Sequence, residues 1–235
     1  MSSAGAVGGP AGIARHLEHT LLRPDAGAGE VETLCREAVQ LNLLAVCVAP
    51  AWVRRAADCT AGSGVMVVTT CGFPFGFDLT SIKVSQAVTA LKMGAAEVDM
   101  VVNLGAFKSG LLDRVRDDMA MVAEACHARG GRLKVILETG YLSDCEKVRV
   151  CELAAEAGAD FVKTSTGFGP GGATVADVSL LRRSVPESVG VKAAGGIRDL
   201  ATARRLLAAG ASRLGTSAGA AIATAELEEI RKGAT

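Results

Sequence analysis

Residues 133–164 read Leu-Lys-Val-Ile-Leu-Glu-Thr-Gly-Tyr-Leu-Ser-Asp-Cys-Glu-Lys-Val-Arg-Val-Cys-Glu-Leu-Ala-Ala-Glu-Ala-Gly-Ala-Asp-Phe-Val-Lys-Thr. The stretch falls into three parts. Leu133–Glu138 and Asp160–Thr164 are short aliphatic, β-rich runs, and Asp144–Ala157 between them has the spacing of an amphipathic helix. Gly158 follows the helical run, where a glycine supplies the left-handed residue that stops a helix. A strand, a helix and a second strand joined this tightly form the unit of a parallel sheet.

The same unit repeats in both directions. Further strands are expected at Leu44–Ala49, Val65–Thr70, Glu97–Val102, Gly190–Ala193 and Arg213–Thr216. Helical patterns occupy Val31–Leu41, Ser81–Met93, Leu111–Ala128, Ala176–Arg183, Leu200–Ala209 and Ala218–Ile230. Gly94 and Gly210 end helices as Gly158 does. Leu17–Leu21 supplies an eighth strand, and eight close a (β/α)8 TIM barrel; seven in an open sheet is the alternative. The fold class is α/β. Residues 1–12 read as a flexible tail and 13–235 as one barrel domain.

Composition agrees. Hydrophobic residues make up 49% of the 235 and aromatics only 3%, so the core must be aliphatic. Lys+Arg and Asp+Glu are 25 each, which leaves no basic field for nucleic acid or an anionic membrane. The seven scattered cysteines form no CxxC pair and suit a reducing cytoplasm. No run approaches the roughly 18 apolar residues of a spanning helix, and the first residues lack the pattern of a signal peptide.

Four strands carry charges where fully buried parallel strands are usually apolar: Asp99, Lys134, Lys163 and Lys192. Strand alternation turns Asp99, Lys134 and Lys163 inward, while Leu133, Val135 and Val162 pack outward. Lys163 and Lys192 lie near the carboxyl ends of their strands, where barrel enzymes carry their chemistry. One bland explanation is a salt-bridge network that holds the barrel together. Three lysines around one aspartate would, however, leave excess positive charge and push a lysine toward the neutral amine. Lowering a lysine from about 10.4 to near 7 costs roughly 4–5 kcal/mol, and a neutral amine is what Schiff-base chemistry needs.

Three glycine-containing loops follow the last strands: Ser165-Thr166-Gly167, Ala194-Gly195-Gly196-Ile197-Arg198 and Gly215-Thr216-Ser217-Ala218-Gly219. Barrels often bind phosphate there, with backbone N–H groups approaching the anion past glycines. Thr216 and Ser217 are expected to donate from their hydroxyls. Arg198 reads equally as a phosphate cation or as a surface arginine. With the lysines, these loops suggest a phosphorylated carbonyl substrate.

The motifs from Leu17 to Ala220 resemble the deoxyribose-phosphate aldolase family. They are Leu-Glu-His-Thr-Leu-Leu at 17–22, Val-Cys-Val at 46–48, Gly-Phe-Pro at 72–74, Glu-Val-Asp-Met-Val at 97–101, Leu-Lys-Val-Ile-Leu-Glu-Thr at 133–139, Phe-Val-Lys-Thr-Ser-Thr-Gly at 161–167 and Val-Lys-Ala-Ala-Gly-Gly-Ile-Arg at 191–198. The resemblance implies a TIM barrel that reversibly cleaves 2-deoxy-D-ribose 5-phosphate into acetaldehyde and D-glyceraldehyde 3-phosphate. It implies Lys163 as the Schiff-base lysine, Lys192 as the second lysine that depresses its pKa, and Asp99 as the acid/base group. Cys47, Lys134, Thr166, Glu18 and Thr20 fall on substrate-pocket positions. Gly167, Gly195, Gly196, Ile197, Arg198, Gly215, Thr216 and Ser217 fall on the phosphate site. Glu18 stands where the family has aspartate, which would alter substrate hydroxyl binding, and Thr216 and Pro170 also depart from the pattern.

On this reading no metal or other cofactor is needed, because an iminium replaces the Lewis acid of a metal-dependent aldolase. His16, His19 and His127 show no ligand spacing. Cys47 is either a thiol reactive toward unsaturated aldehydes or a small pocket-wall residue. The expected partner is a small phosphorylated sugar, and a homodimer is expected because two-fold dimers are the commonest assemblies. The rival readings are another phosphate-binding barrel enzyme and a catalytically silent barrel that senses sugar phosphates.

Overall fold

Each short aliphatic run becomes a strand and each longer amphipathic run a helix in a computed structural model that describes Gly12 to Gly233. The expected tail thus lies, Gly12 apart, outside the described residues. In chain order the elements are β1 (Leu17–Leu21), α1 (Ala28–Gln40), β2 (Ala45–Val48), α2 (Val53–Thr60), β3 (Met66–Cys71), α3 (Thr80–Lys92), β4 (Glu97–Val101), α4 (Leu104–Lys108), α5 (Leu112–His127), β5 (Arg132–Ile136), α6 (Asp144–Glu156), β6 (Phe161–Lys163), α7 (Val175–Ser184), β7 (Gly190–Ala194), α8 (Leu200–Ala208), β8 (Arg213–Thr216) and α9 (Gly219–Gly233). The strands pair in sequence order, all parallel, and β8 pairs back to β1 to close the barrel. The open-sheet alternative is therefore excluded.

Alternation along the strands creates two environments. Val98, Met100, Leu133, Val135, Val162 and Val191 face outward into one continuous core shared with the helices. Burying each such side chain contributes about 1.5–3 kcal/mol. Inside the barrel the apolar cluster is small, consisting of Ala45, Cys47 and Val68. Most of the remaining interior is charged. Register sets which charges meet: Asp99 lies opposite Lys134, Lys163 opposite Lys192, and Lys192 opposite Arg213.

Two helices were not expected. α2 has eight residues, with only Val53, Ala56 and Thr60 buried, so its apolar face is too brief to register as a periodic pattern. α4 is a five-residue turn held by Asn103, whose side chain accepts the Ala106 N–H. Among the described residues no helix is long and apolar enough to cross a membrane.

Candidate active site

At the carboxyl ends of the strands lies a cavity of about 330 Å³. Its walls come from β1 (Thr20, Leu22 and Arg23 beyond it), β6 (Lys163, Thr166, Gly167, Phe168), β7 (Ala194 to Arg198) and β8 (Gly215, Thr216, Ser217). Eleven residues expected in the site line this one space: Thr20, Lys163, Thr166, Gly167, Gly195, Gly196, Ile197, Arg198, Gly215, Thr216 and Ser217. The other five, Glu18, Cys47, Asp99, Lys134 and Lys192, do not. They are fully buried in the barrel below.

The buried layer centres on Asp99. Its Oδ2 accepts from Lys163 Nζ at 2.7 Å and Lys192 Nζ at 2.6 Å, and its Oδ1 from Lys134 Nζ at 3.1 Å. The positive excess is smaller than three lysines around one aspartate would leave. Glu18 binds Lys192, and Glu97 binds Lys134 at 2.5 Å and Arg213 at 3.1 Å. With Arg213, the interior holds four cations and three carboxylates, an excess of one.

The lysines separate by position. Burial alone would lower Lys192 and Lys134, but Asp99 and Glu18 overcome it and hold both above the ordinary lysine range. Lys163 goes the other way. Burial pushes it down, Asp99 pulls it up, and the Lys192 charge adds to the downward push, leaving it below its usual value. Burial would raise Asp99, yet the three lysines keep it well below the carboxylate range. Of the three lysines, the one that lines the cavity is the one held below the ordinary lysine range.

Cys47 is decided by the same balance. Burial pushes its thiol up to about 11 against the lowering effect of Lys192, which favours the thiol over the thiolate, and its side chain lies below the cavity without lining it.

The loops form one braced rim. Gly195 and Gly196 are left-handed (φ 93° and 76°). A Cβ on Gly172 would stand 2.4 Å from the Gly195 carbonyl oxygen, so the loops after β6 and β7 touch backbone to backbone. Thr216 lines the cavity, but its hydroxyl donates to the Ile197 carbonyl at 2.6 Å and accepts from Ala218 N–H at 2.9 Å. It cannot also donate to a ligand as expected; it ties two rim loops together. Thr20 likewise donates to the Glu18 carbonyl, and Thr166 donates to Glu138. Ser217 and Arg198 are exposed on the rim, where the amino end of α9 also opens.

Sequence reading missed Glu138, Glu97, Arg213, Arg23 and Phe168. Glu97 and Arg213 are charges within strands, the same signal that marked Asp99, and could have been found. Glu138 was quoted within a motif but given no role. Among the described residues, no three His, Cys, Asp or Glu side chains gather as a metal-binding cluster.

A profile of the DeoC/LacD family aldolases matches residues 18–225. The chain belongs to the DeoC/LacD aldolase family. A deoxyribose-phosphate aldolase of Brevibacillus brevis is 51% identical over 210 residues, covering 89% of this chain and 94% of that protein. The solved structure of QR15, an aldolase, superposes with a TM-score of 0.90 at 39% identity, covering 94% of this chain and 98% of its own. A deoxyribose phosphate aldolase from Aeropyrum pernix, described as a tetramer, gives 0.85 at 31% identity, with 91% and 90% covered. As a DeoC/LacD aldolase the protein is a lyase, which sets aside the silent-sensor reading.

Proposed function

We propose that the protein cleaves 2-deoxy-D-ribose 5-phosphate reversibly into acetaldehyde and D-glyceraldehyde 3-phosphate through a Schiff base on Lys163, in cytoplasmic deoxyribose phosphate breakdown. The observation that carries this is the placement of Lys163. Its amine, depressed below the usual lysine range, lines a cavity faced by three glycine-containing loops and rests 2.7 Å from Asp99.

The Lys163 amine attacks the C1 aldehyde of the open-chain sugar and loses water to give an iminium. Asp99 and Lys192, acting through a water, take the C3 hydroxyl proton as the C2–C3 bond breaks, and its electrons pass into the iminium. Glyceraldehyde 3-phosphate departs. The enamine is protonated at C2 and hydrolysed, releasing acetaldehyde and the free amine. The charged Lys192 and the low-lying Asp99 keep a fixed dipole beside the reacting carbons, which needs no reorganisation as charge moves. The 5-phosphate would rest on the Gly195–Gly196 turn, the Ser217 hydroxyl and Arg198. Because the iminium is the electron sink, the scheme calls on no cofactor.

Borohydride added with the sugar phosphate should reduce the iminium to a stable adduct on the Lys163 peptide, read by mass spectrometry, and a coupled assay should detect glyceraldehyde 3-phosphate. Cleavage that survives Lys163→Ala, or failure to trap an adduct, would overturn the proposal. We also take the protein to be homo-oligomeric, with a dimer as the expected state, which sedimentation can measure.

A further inference from the structure

Along β1, Glu18 joins the buried charges and Thr20 lines the cavity. His19 turns to the opposite face, between the barrel and its helices, and is 4% exposed. Its Nε2 meets Glu37 Oε2 of α1 at 2.9 Å. An ionised carboxylate only accepts, so Nε2 carries the proton, and in the neutral ring Nδ1 keeps a lone pair. Nδ1 finds no hydrogen-bond partner among the described residues. A buried acceptor left unpaired costs roughly 1–3 kcal/mol, which an apolar side chain of similar size would avoid. Packing alone therefore does not account for an imidazole here, whereas its tie to Glu37 fixes how the ring is turned.

The ring is turned against the start of α9. A Cβ added to Gly219, the first residue of that helix, would stand 3.0 Å from Nδ1 and 3.2 Å from Cγ. The helix thus begins in close contact with the imidazole, and only a glycine fits between them. In register His19 lies beside Thr216, whose hydroxyl joins the Ala218 N–H to the Ile197 carbonyl. The amino end of α9 is therefore held on two sides, by Thr216 at the cavity and by His19 from behind. The first N–H groups of a helix have no partner within it and are free to meet an anion. They serve a ligand only where the helix end is placed to within about 0.5 Å.

We infer that His19, held in orientation by Glu37, is a positioning residue for the substrate's phosphate group. The inference rests on the reading of the rim loops as a phosphate site. Glu37 fixes the ring, the ring seats Gly219, and the seated helix end presents its N–H groups and Ser217 to the 5-phosphate. The imidazole touches no reacting atom, and no proton passes through it. Its loss therefore acts on the hold of the phosphate and spares the chemistry at Lys163.

Glu37 offers the cleanest test, because it is half-buried on α1 and does not line the cavity. Glu37→Met removes the acceptor and frees the ring, whereas Glu37→Gln keeps an accepting oxygen at the same reach. In Glu37→Met, KM for 2-deoxyribose 5-phosphate and the inhibition constant of inorganic phosphate should both rise about tenfold, within the roughly hundredfold that a 1 Å misplacement can cost. The kcat, and kcat/KM for unphosphorylated 2-deoxyribose, should stay within about twofold, since only binding of the phosphate is weakened. Glu37→Gln should restore both phosphate constants. Gly219→Ala, which sets a methyl group against the ring, should reproduce the split seen in Glu37→Met. The inference is overturned if kcat/KM falls equally for both sugars. It is also overturned if Glu37→Met lowers thermal stability and leaves both phosphate constants unchanged, which would make His19 a residue of the core alone. An unaltered enzyme that favours the 5-phosphate no more than the free sugar would overturn the phosphate-site reading, and the inference with it.

Discussion

Glu138 accepts from both donors of Thr166: the backbone N–H is shared between its two oxygens at 3.3 and 3.2 Å, and the hydroxyl donates to Oε2. Glu138 is not glycine, yet its backbone is left-handed (φ 54°, ψ 64°), a conformation that costs roughly 1–3 kcal/mol. The strain aims a buried carboxylate across from the end of β5 at Thr166, three residues beyond Lys163. Thr166 Oγ1 then accepts the Phe168 N–H at 3.0 Å, so one carboxylate shapes the loop that carries Gly167 and Phe168 into the cavity.

Glu138→Gln keeps the shape but replaces one accepting oxygen with a donor. The Thr166 loop should loosen, and KM for 2-deoxyribose 5-phosphate should rise about tenfold, corresponding to about 1.4 kcal/mol. KM for unphosphorylated 2-deoxyribose should stay nearly constant. Equal changes for both sugars would mean that the loop serves something other than the phosphate.

Lys192→Met should move the acid limb of the kcat/KM profile to higher pH. Lys192 is one of the groups pushing Lys163 down, and it also shares Asp99 Oδ2 with Lys163. Removing it takes away a repelling charge and leaves Asp99 freer to hold the Lys163 proton, so both effects raise the amine. The neutral fraction then vanishes at a higher pH as the solution is acidified. A limb that stays in place would show that burial alone sets the Lys163 value.

Glu18 needs a different reading from the one its sequence position invited. It does not line the cavity. Its carboxylate binds Lys192 and lies 3.6 Å from Lys134 and 3.7 Å from Arg213. The residue that departs from the family pattern is therefore part of the buried charge network. Glu18→Gln leaves these cations short of one carboxylate, which should cost about 3–5 kcal/mol of folding free energy. Urea unfolding at neutral pH measures it, and a loss under about 1 kcal/mol would mean that the interior relaxes around the missing charge.

Alkylation should separate the cysteines. Cys59 and Cys145 are exposed, whereas Cys47 is buried with its thiol raised to about 11. Iodoacetamide at pH 8 should label the exposed pair within minutes and spare Cys47, as peptide mass mapping will show. Equally rapid labelling of Cys47 would mean that its surroundings open in solution.

Much of this architecture is local, and so was legible. Alternation within one strand turns Asp99, Lys134 and Lys163 inward without knowledge of any neighbour, and the glycine loops announce themselves after β6, β7 and β8. What stayed hidden depends on meetings across the fold. Lys83 of α3 is fully buried, donating to Asp118 of α5 at 2.6 Å and to the Val101 carbonyl at 3.1 Å, a pairing that spacing along one helix does not announce. The commitment of the Thr216 hydroxyl to Ile197 requires the contact of two loops. The count of buried charges was incomplete because Glu18, Glu97 and Arg213 join the lysines only once register is fixed.

The charged interior has one more consequence. Glu97, Arg213 and Phe161 fill the lower barrel, with the Arg213 guanidinium carbon 5.1 Å and Lys134 Nζ 5.8 Å from the Phe161 ring centre. Among the described residues, side chains thus close the lower barrel, and the cavity opens at the carboxyl ends of the strands. On the Schiff-base reading proposed above, a sugar phosphate enters from that side with its phosphate toward the rim. The phosphorylated fragment then lies nearest the opening, and the two-carbon fragment lies deepest, on Lys163.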